Sequence, residues 1–293
     1  MLKNLRQLSK RTYSHISLEQ TGPLSILKFN RPKKYNAIHP EMYDEIGDAL
    51  RKEKANDSSS LLTITGEGPY YSSGNDLTAF AKWMAQVNKA LYISLDFQGK
   101  SQEEMAETAH DIMVPFVDAF IEFDKPLISV VNGPAVGIGV SHLGLADFVY
   151  AHESATFYMP FTILGQSAEA CSSVTFPKIM GPSDGHAMIM FNKKIDAQEA
   201  RNSRLVGEIY SDNGPIWEKI EEYSQLPSKS LKYSKQLVRL IFSKFFFFFY
   251  FFRTDADVQF LKEVNLREAA RLRERWASPD CAEAIMKFMM RKG

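Results

Sequence analysis

Cysteine is scarce in this 293-residue chain: Cys171 and Cys281 stand far apart, with no CxxC and no Cys/His spacing that suits a metal. That excludes a disulfide framework and a zinc motif, and it fits a reducing compartment. Histidine pairing is missing as well, since His15, His39, His110, His142, His152 and His186 form no HxxxH, so metal catalysis finds no support. A surplus of charge is also absent, with 35 basic residues against 35 acidic ones. No general basic field exists to gather nucleic acid, and small or locally recognised ligands are the better expectation. One conspicuous apolar run, FFFFFYFF at 245–252, is too short to cross a bilayer as a helix, and no stable membrane insertion is expected.

Acid is missing at the start of the chain. MLKNLRQLSKRTYSH carries Lys3, Arg6, Lys10 and Arg11, has no acid before Glu19, and places leucines at 2, 5 and 8 on one helical face. That is the composition of a mitochondrial presequence over residues 1–13, with Ser14 as the mature start; the alternative is a merely basic N-terminus. The localisation it suggests is the mitochondrial matrix, with the peroxisome as the alternative, although the C-terminal Met290-Arg-Lys-Gly is not of the SKL type.

What is abundant is apolar material, 45% of the residues, enough for a sizeable core. ISLEQTGPLSILKF (16–29) predicts a hairpin around Gly22-Pro23. Met42, Ile46 and Leu50 lie on one face of a helix over 39–54, and residues 103–122 predict another. LLTIT (61–65) and LISVV (127–131) are continuous apolar runs of the kind that parallel strands show when buried on both faces; a third strand is expected at 148–151 and a helix at 140–145. Strand, loop and helix recur three times, which predicts an α/β fold with helical crossovers and a ligand beyond the carboxyl ends of the strands. From about Ile216 onward the pattern is helical. The Phe-rich insertion at about 241–256 departs from that pattern, and the favoured reading is translated intron. Ser243-Lys244-Phe245 can be written AGT AAG TTT, which contains a donor-like GTAAGT, and Phe252-Arg253 can supply TTCAG after a pyrimidine tract. A membrane wedge and a core segment are the alternatives.

Two loops follow the strands. Ser72-Ser-Gly-Asn-Asp76 offers small residues and free amides, though such a composition also makes ordinary turns. Asn132-Gly-Pro-Ala-Val-Gly-Ile-Gly139 leads into a helix N-terminus; it is not a dinucleotide fingerprint, because His142 occupies the third glycine position. Together they could form an oxyanion hole. The base to serve it would be Glu169 in LGQSAEACSS, although by pattern alone the simpler reading comes first, with Ser167 capping a helix and Glu169 facing its dipole. Gly181-Pro-Ser-Asp-Gly185 matches GxSxG but reads as a connection in which Ser183 or Asp184 caps the next helix.

Taken in order, FNRPKKYNAI (29–38), YYSSGNDL (70–77), KPLISVVNGPAVGIG (125–139) and ATFYMPFTILGQSAEACSS (155–173) resemble the enoyl-CoA hydratase/isomerase, or crotonase, superfamily from about residue 16 to the C-terminus. The resemblance implies an α/β fold, the ClpP-like ββα spiral, with a core over 14–210 that holds the acyl-CoA site and a helical trimerisation region over 211–293. It implies a coenzyme A thioester substrate, no separate cofactor and no metal, and a homotrimer. Asn75 and Ile138 would supply the oxyanion-hole amides, and Ser72, Ser73, Gly74, Asn75, Asp76, Leu77 and Gly137 would contact substrate. Hydratases of the family carry two glutamates where this chain has Ser141 and Phe161. The wording is similar to the peroxisomal and mitochondrial (type 2) Δ3,Δ2-enoyl-CoA isomerases, in which a single Glu, here Glu169, moves the proton. Phe80, Trp83 and Phe161 would line the acyl tunnel, or are core. The alternatives are another activity of the superfamily (hydratase or hydrolase), an inactive acyl-CoA binder, and a non-enzymatic assembly or membrane-associated protein.

Overall fold

The structure, a computed structural model, describes residues 11–77, 102–240 and 256–290. The expectations for residues 1–10, for Phe80 and Trp83, and for the Phe run lie outside the described residues.

The hairpin forms as expected, from β2 (Ile16–Thr21) and β3 (Leu24–Phe29). Its two-residue connection begins at Gly22, whose φ of 58° suits glycine. Ahead of it, β1 (Arg11–Thr12) pairs antiparallel with β2, so the expected cleavage at Ser14 would remove this short edge strand. Next in the sheet come β4 (Leu61–Gly66), β5 (Leu127–Val131), β7 (Phe148–His152) and β10 (Glu208–Tyr210), all parallel from β3 onward, in the order β1-β2-β3-β4-β5-β7-β10.

Alternation along these strands divides the side chains between two cores. Leu62, Ile64, Leu127, Val131, Val149 and Ala151 enter the larger core; Leu61, Ile128, Val130 and Tyr150 point to the opposite face. Since both faces are covered, the strands read as unbroken apolar runs. The larger core is closed by α1 (Pro40–Lys54) and α2 (Gln102–Ile121). In α1, His39 caps the Glu41 amide, Pro40 starts the first turn, and Met42, Tyr43, Ile46, Ala49 and Leu50 are buried. The opposite face is covered by α7 (Asn213–Ser224) through Ile216 and Ile220.

A second sheet of three short strands, β6 (Ala135–Val136), β8 (Thr156–Tyr158) and β9 (Ile195–Asp196), was not foreseen. Strands of two or three residues carry too little periodicity to be seen in sequence. The helix expected at 140–145 starts earlier, as the single turn α3 (Ile138–Ser141), and continues as a 3-10 turn over His142–Leu145. After it come α4 (Ser172–Met180), α5 (Pro182–Phe191) and α6 (Ala197–Asn202); past α7 lie α8 (Ser228–Leu240), α9 (Ala256–Trp276) and α10 (Pro279–Met290). No helix among the described residues is long and apolar enough to cross a membrane.

Two capping expectations are corrected. Gly181, not Ser183 or Asp184, occupies the N-cap of α5, because Pro182 already sets the first helical turn and no side chain caps it. Ser183 is exposed on that turn, away from any strand end, so GxSxG builds no nucleophile elbow here. Nor does Ser167 cap α4: that helix begins at Ser172, so Glu169 precedes it instead of riding on it.

Candidate active site

Parallel strands deliver the two glycine loops to the same end of the sheet, where they lock together. Val136 donates its N–H to Ser72 O at 2.9 Å, Ser72 donates to Pro134 O at 3.3 Å, and Gly137 donates to Tyr158 O at 2.8 Å. Gly74 has φ 81°, and a Cβ there would lie 2.9 Å from Val136 O; Gly137 has φ 54°. Only glycine lets the two backbones approach this closely.

The amides around the junction are taken. Ser73 donates to Tyr35 O, Gly74 to Ser72 Oγ, and Asp76 to Ile38 O. Among the described residues, the Asn75 and Ile138 amides have no such partner, and they sit on adjoining loops. The other expected contact residues divide. Ser72 is buried, with its hydroxyl donating to Asn36 O at 2.9 Å, and Asp76 pairs with Arg31 at 3.0 Å, so both are occupied in building the loop. Ser73 and Leu77 are partly accessible.

Behind Ile138, His142 is buried and neutral. Its Nδ1 lies 2.6 Å from Ile138 O, and its Nε2 lies 2.9 Å from the Tyr71 hydroxyl. The Ile138 carbonyl can only accept, so Nδ1 carries the proton and Tyr71 donates to Nε2. Burial lowers the imidazole to about 4, which keeps this brace uncharged at neutral pH.

Glu169 is 2% exposed, and its Oε2 has no hydrogen-bond partner. The hydroxyls of its neighbours Ser167 and Ser172 are likewise buried without a partner. Burial first, and the nearby Glu268 charge second, push the Glu169 carboxyl up to about 8. Two hydratase positions of the resemblance carry buried neutral side chains, Ser141 and Phe161. Among the described residues the buried carboxylates are Glu53, Glu169 and Glu268. Glu53 accepts from Ser25 and Asn56, and Glu268 accepts from two amides, which leaves Glu169 available.

Tyr43 was missed in the sequence because its place on α1 reads as core. Its hydroxyl donates to Asn75 Oδ1 at 2.5 Å, and its ionisation is pushed well up by burial and then by the charge on Glu169. It therefore holds the Asn75 side chain while feeling the Glu169 charge. Glu268 was missed because a Glu among the arginines of a helix reads as solvated surface. The fold also gathers His15, His39 and Glu41, whose ligand atoms lie within 4.8 Å of one another; the distance of His15 in sequence from the other two concealed this.

Fold and site define an α/β protein in which two strand-end loops lock together and one available buried carboxylate, Glu169, is felt by the tyrosine that bonds the Asn75 side chain. The family model described as Enoyl-CoA hydratase/isomerase matches residues 19–245, and the chain belongs to that family. It is 42% identical to human Enoyl-CoA delta isomerase 2 over 91% of this chain and 61% of that protein, so it spans about three fifths of that relative's length. It is 39% identical to mouse Enoyl-CoA delta isomerase 3, peroxisomal, over 91% of this chain and 75% of the relative. The fold matches the crystal structure of an enoyl-CoA hydratase/isomerase from Pseudoalteromonas atlantica T6c with a TM-score of 0.76 at 24% identity, over 95% of this chain and 98% of that one.

Proposed function

We propose that this protein is a Δ3,Δ2-enoyl-CoA isomerase, converting cis- or trans-3-enoyl-CoA to 2-trans-enoyl-CoA in the oxidation of unsaturated fatty acids. The observation that carries this reading is Glu169, a buried, basic carboxylate with neutral residues at both hydratase positions. Adding water to a double bond takes an acid and a base, whereas moving the bond needs one group that takes a proton and gives it back.

In the proposed reaction Glu169 removes a proton from C2 of the thioester. The electron pair passes to the carbonyl oxygen, and the enolate oxygen accepts hydrogen bonds from the Asn75 and Ile138 amides. Collapse of the enolate then draws the proton from Glu169 to C4, and the double bond ends between C2 and C3. Proton and electrons balance without a redox partner, so no cofactor and no metal enter; coenzyme A is part of the substrate. The 72–77 loop would hold the coenzyme A portion, and the buried Phe161 would bound the acyl chain. Purified protein assayed with 3-enoyl-CoA, beside a hydration assay on 2-enoyl-CoA, tests the reading: hydration without isomerisation would refute it.

With the free carboxyl near 8, kcat/KM should climb about tenfold per pH unit up to that point and level off above it, because only the ionised form abstracts a proton. A pH–rate profile flat between pH 6 and 9 would count against Glu169. Tyr43→Phe removes the hydroxyl that steadies Asn75, and should lower kcat/KM roughly five- to tenfold, the worth of about 1 kcal/mol of hydrogen bonding. Steady-state kinetics on the variant checks this.

The proposal extends to a homotrimer and to the mitochondrial matrix, with the peroxisome as the alternative. Exposed Tyr233, Leu237 and Val238 on α8 and Phe260 and Leu266 on α9 support an apolar subunit contact. Light scattering gives the mass, and imaging of a C-terminally tagged chain gives the compartment.

A further inference from the structure

The segment that carries Glu169 is unusual in its backbone. Ala170 and Cys171 both have left-handed φ, 53° and 60°, with no glycine in either place. Consecutive side chains in that region persist only where the surroundings hold them. The helix that follows, α4, also has no cap of its own, since the Cys171 side chain makes no capping bond.

The missing cap comes from a remote part of the chain. Glu268 Oε2 accepts the Cys171 N–H at 2.7 Å, 97 positions away in sequence, and Oε1 accepts the Ser173 N–H at 2.9 Å. Cys171 Sγ donates to Leu261 O at 3.3 Å, two turns earlier on the same helix. That helix, α9, is itself fixed to α2, because Asn265 donates to Val114 O at 3.2 Å and to Asp118 Oδ1 at 3.0 Å. Two carboxylate oxygens and one carbonyl, all on α9, therefore clasp the turn after Glu169.

We propose that Glu268 is the positioning residue of this site: from α9 its carboxylate caps α4 and holds the left-handed turn that aims Glu169. It touches the loop from its amide side and acts only through Glu169, and the proposal rests on the isomerase reading for what Glu169 does. A carboxylate suits the place for two reasons. Both oxygens are needed, one per amide, and the helix N-terminus favours a negative charge. The charge also faces Glu169, whose carboxyl it helps to keep basic after burial has done most of that. Other ionisable groups around the pair are Tyr43 from α1, Asp118 from α2, Arg267 from α9 and the Cys171 thiol, which burial and Glu268 push up. Burial raises the Glu268 carboxyl above its ordinary range, while its bonds to Ser173 and Cys171 and, least, the Arg267 charge favour the ionised form.

The test compares Glu268→Gln and Glu268→Asp with wild type in kcat, KM and pH profile. Glu268→Gln keeps the shape but offers one oxygen and no charge. It should lower kcat by about ten- to a hundredfold, as misplacement of a reacting group does, with KM within about threefold of wild type. Its acid limb should move to lower pH, since the like charge that raised Glu169 is gone. Glu268→Asp keeps the charge but falls one methylene short, so kcat should drop while the limb stays in place. A merely structural role would lower the melting temperature and leave the limb of Glu268→Gln unmoved; that result, or wild-type kcat in either folded variant, overturns the proposal. Should Glu268→Gln fail to fold, Glu268→Asp decides alone through kcat. An infrared titration of the Glu169 carboxyl, taken as wild type minus Glu169→Gln and repeated in the Glu268→Gln background, needs no turnover. If wild-type protein does not isomerise 3-enoyl-CoA, the functional reading fails, and the infrared midpoint still judges Glu268: a midpoint unchanged by Glu268→Gln overturns its influence, and one lowered sustains it.

Discussion

Glu169→Gln should lose about 10²–10⁴-fold in isomerase turnover, the usual cost of removing a general base, while still binding acyl-CoA. Gln has nearly the size of Glu and fills the same buried place, but it cannot take the C2 proton. Kinetics with 3-enoyl-CoA and calorimetric titration with a saturated acyl-CoA separate the two properties. Turnover at the wild-type level would dismiss Glu169 as the base.

The same substitution carries a signature in stability. In the unfolded chain the Glu169 carboxyl titrates near its ordinary 4.5, and in the fold near 8. Between those values the folded state holds a proton that the unfolded state has released, so stability is fully present below about 4.5 and is lost as pH rises through about 8. By linkage the loss is on the order of a few kcal/mol. Gln has no proton to lose. Glu169→Gln should therefore melt close to wild type at pH 5 and several degrees higher at pH 8 and above, read by thermal unfolding across that range. A more stable but inactive variant is what an active site that buries an unpaired carboxylate leads one to expect.

Gly74→Ala is expected to be nearly as damaging to activity by another route. The added Cβ would meet Val136 O at 2.9 Å, on a backbone whose φ of 81° an L side chain rarely adopts. Relief requires the 72–76 loop to move off the 135–138 loop, and Asn75, the next residue, moves with it. Removing one donor from an oxyanion hole costs about 10²–10³-fold in kcat. Gly74→Ala should approach that loss, accompanied by a destabilisation of about 1–3 kcal/mol from the strained backbone. Measured kcat and urea midpoints test both parts. A variant that is destabilised yet turns over normally would show that the Asn75 amide carries no enolate charge.

Much of this architecture is readable in the residues. LLTIT and LISVV are legible as buried parallel strands because burial on both faces removes the polar alternation that would otherwise mark a strand. The glycines of both loops announce a close backbone approach, and Ser141 and Phe161 declare that the two hydratase carboxylates are missing. Family membership follows from four ordered motifs, each weak alone, and the match over residues 19–245 agrees with it. The small sheet and the edge strand β1 were not legible, because elements of two or three residues are held by their partners and not by their own pattern.

What the sequence alone determined, then, is the inventory: which strands are buried, where backbone can meet backbone, and that one carboxylate stands in a segment of small residues. Whether that carboxylate rides on a helix as a solvated acid or sits buried with a raised pKa was decided by the tertiary structure. A carboxyl's basicity depends on how much water the fold removes from it and on which charges come near. For Glu169 those are set by packing and by Glu268, which arrives from a helix distant in the chain. No local pattern around residue 169 carries that information.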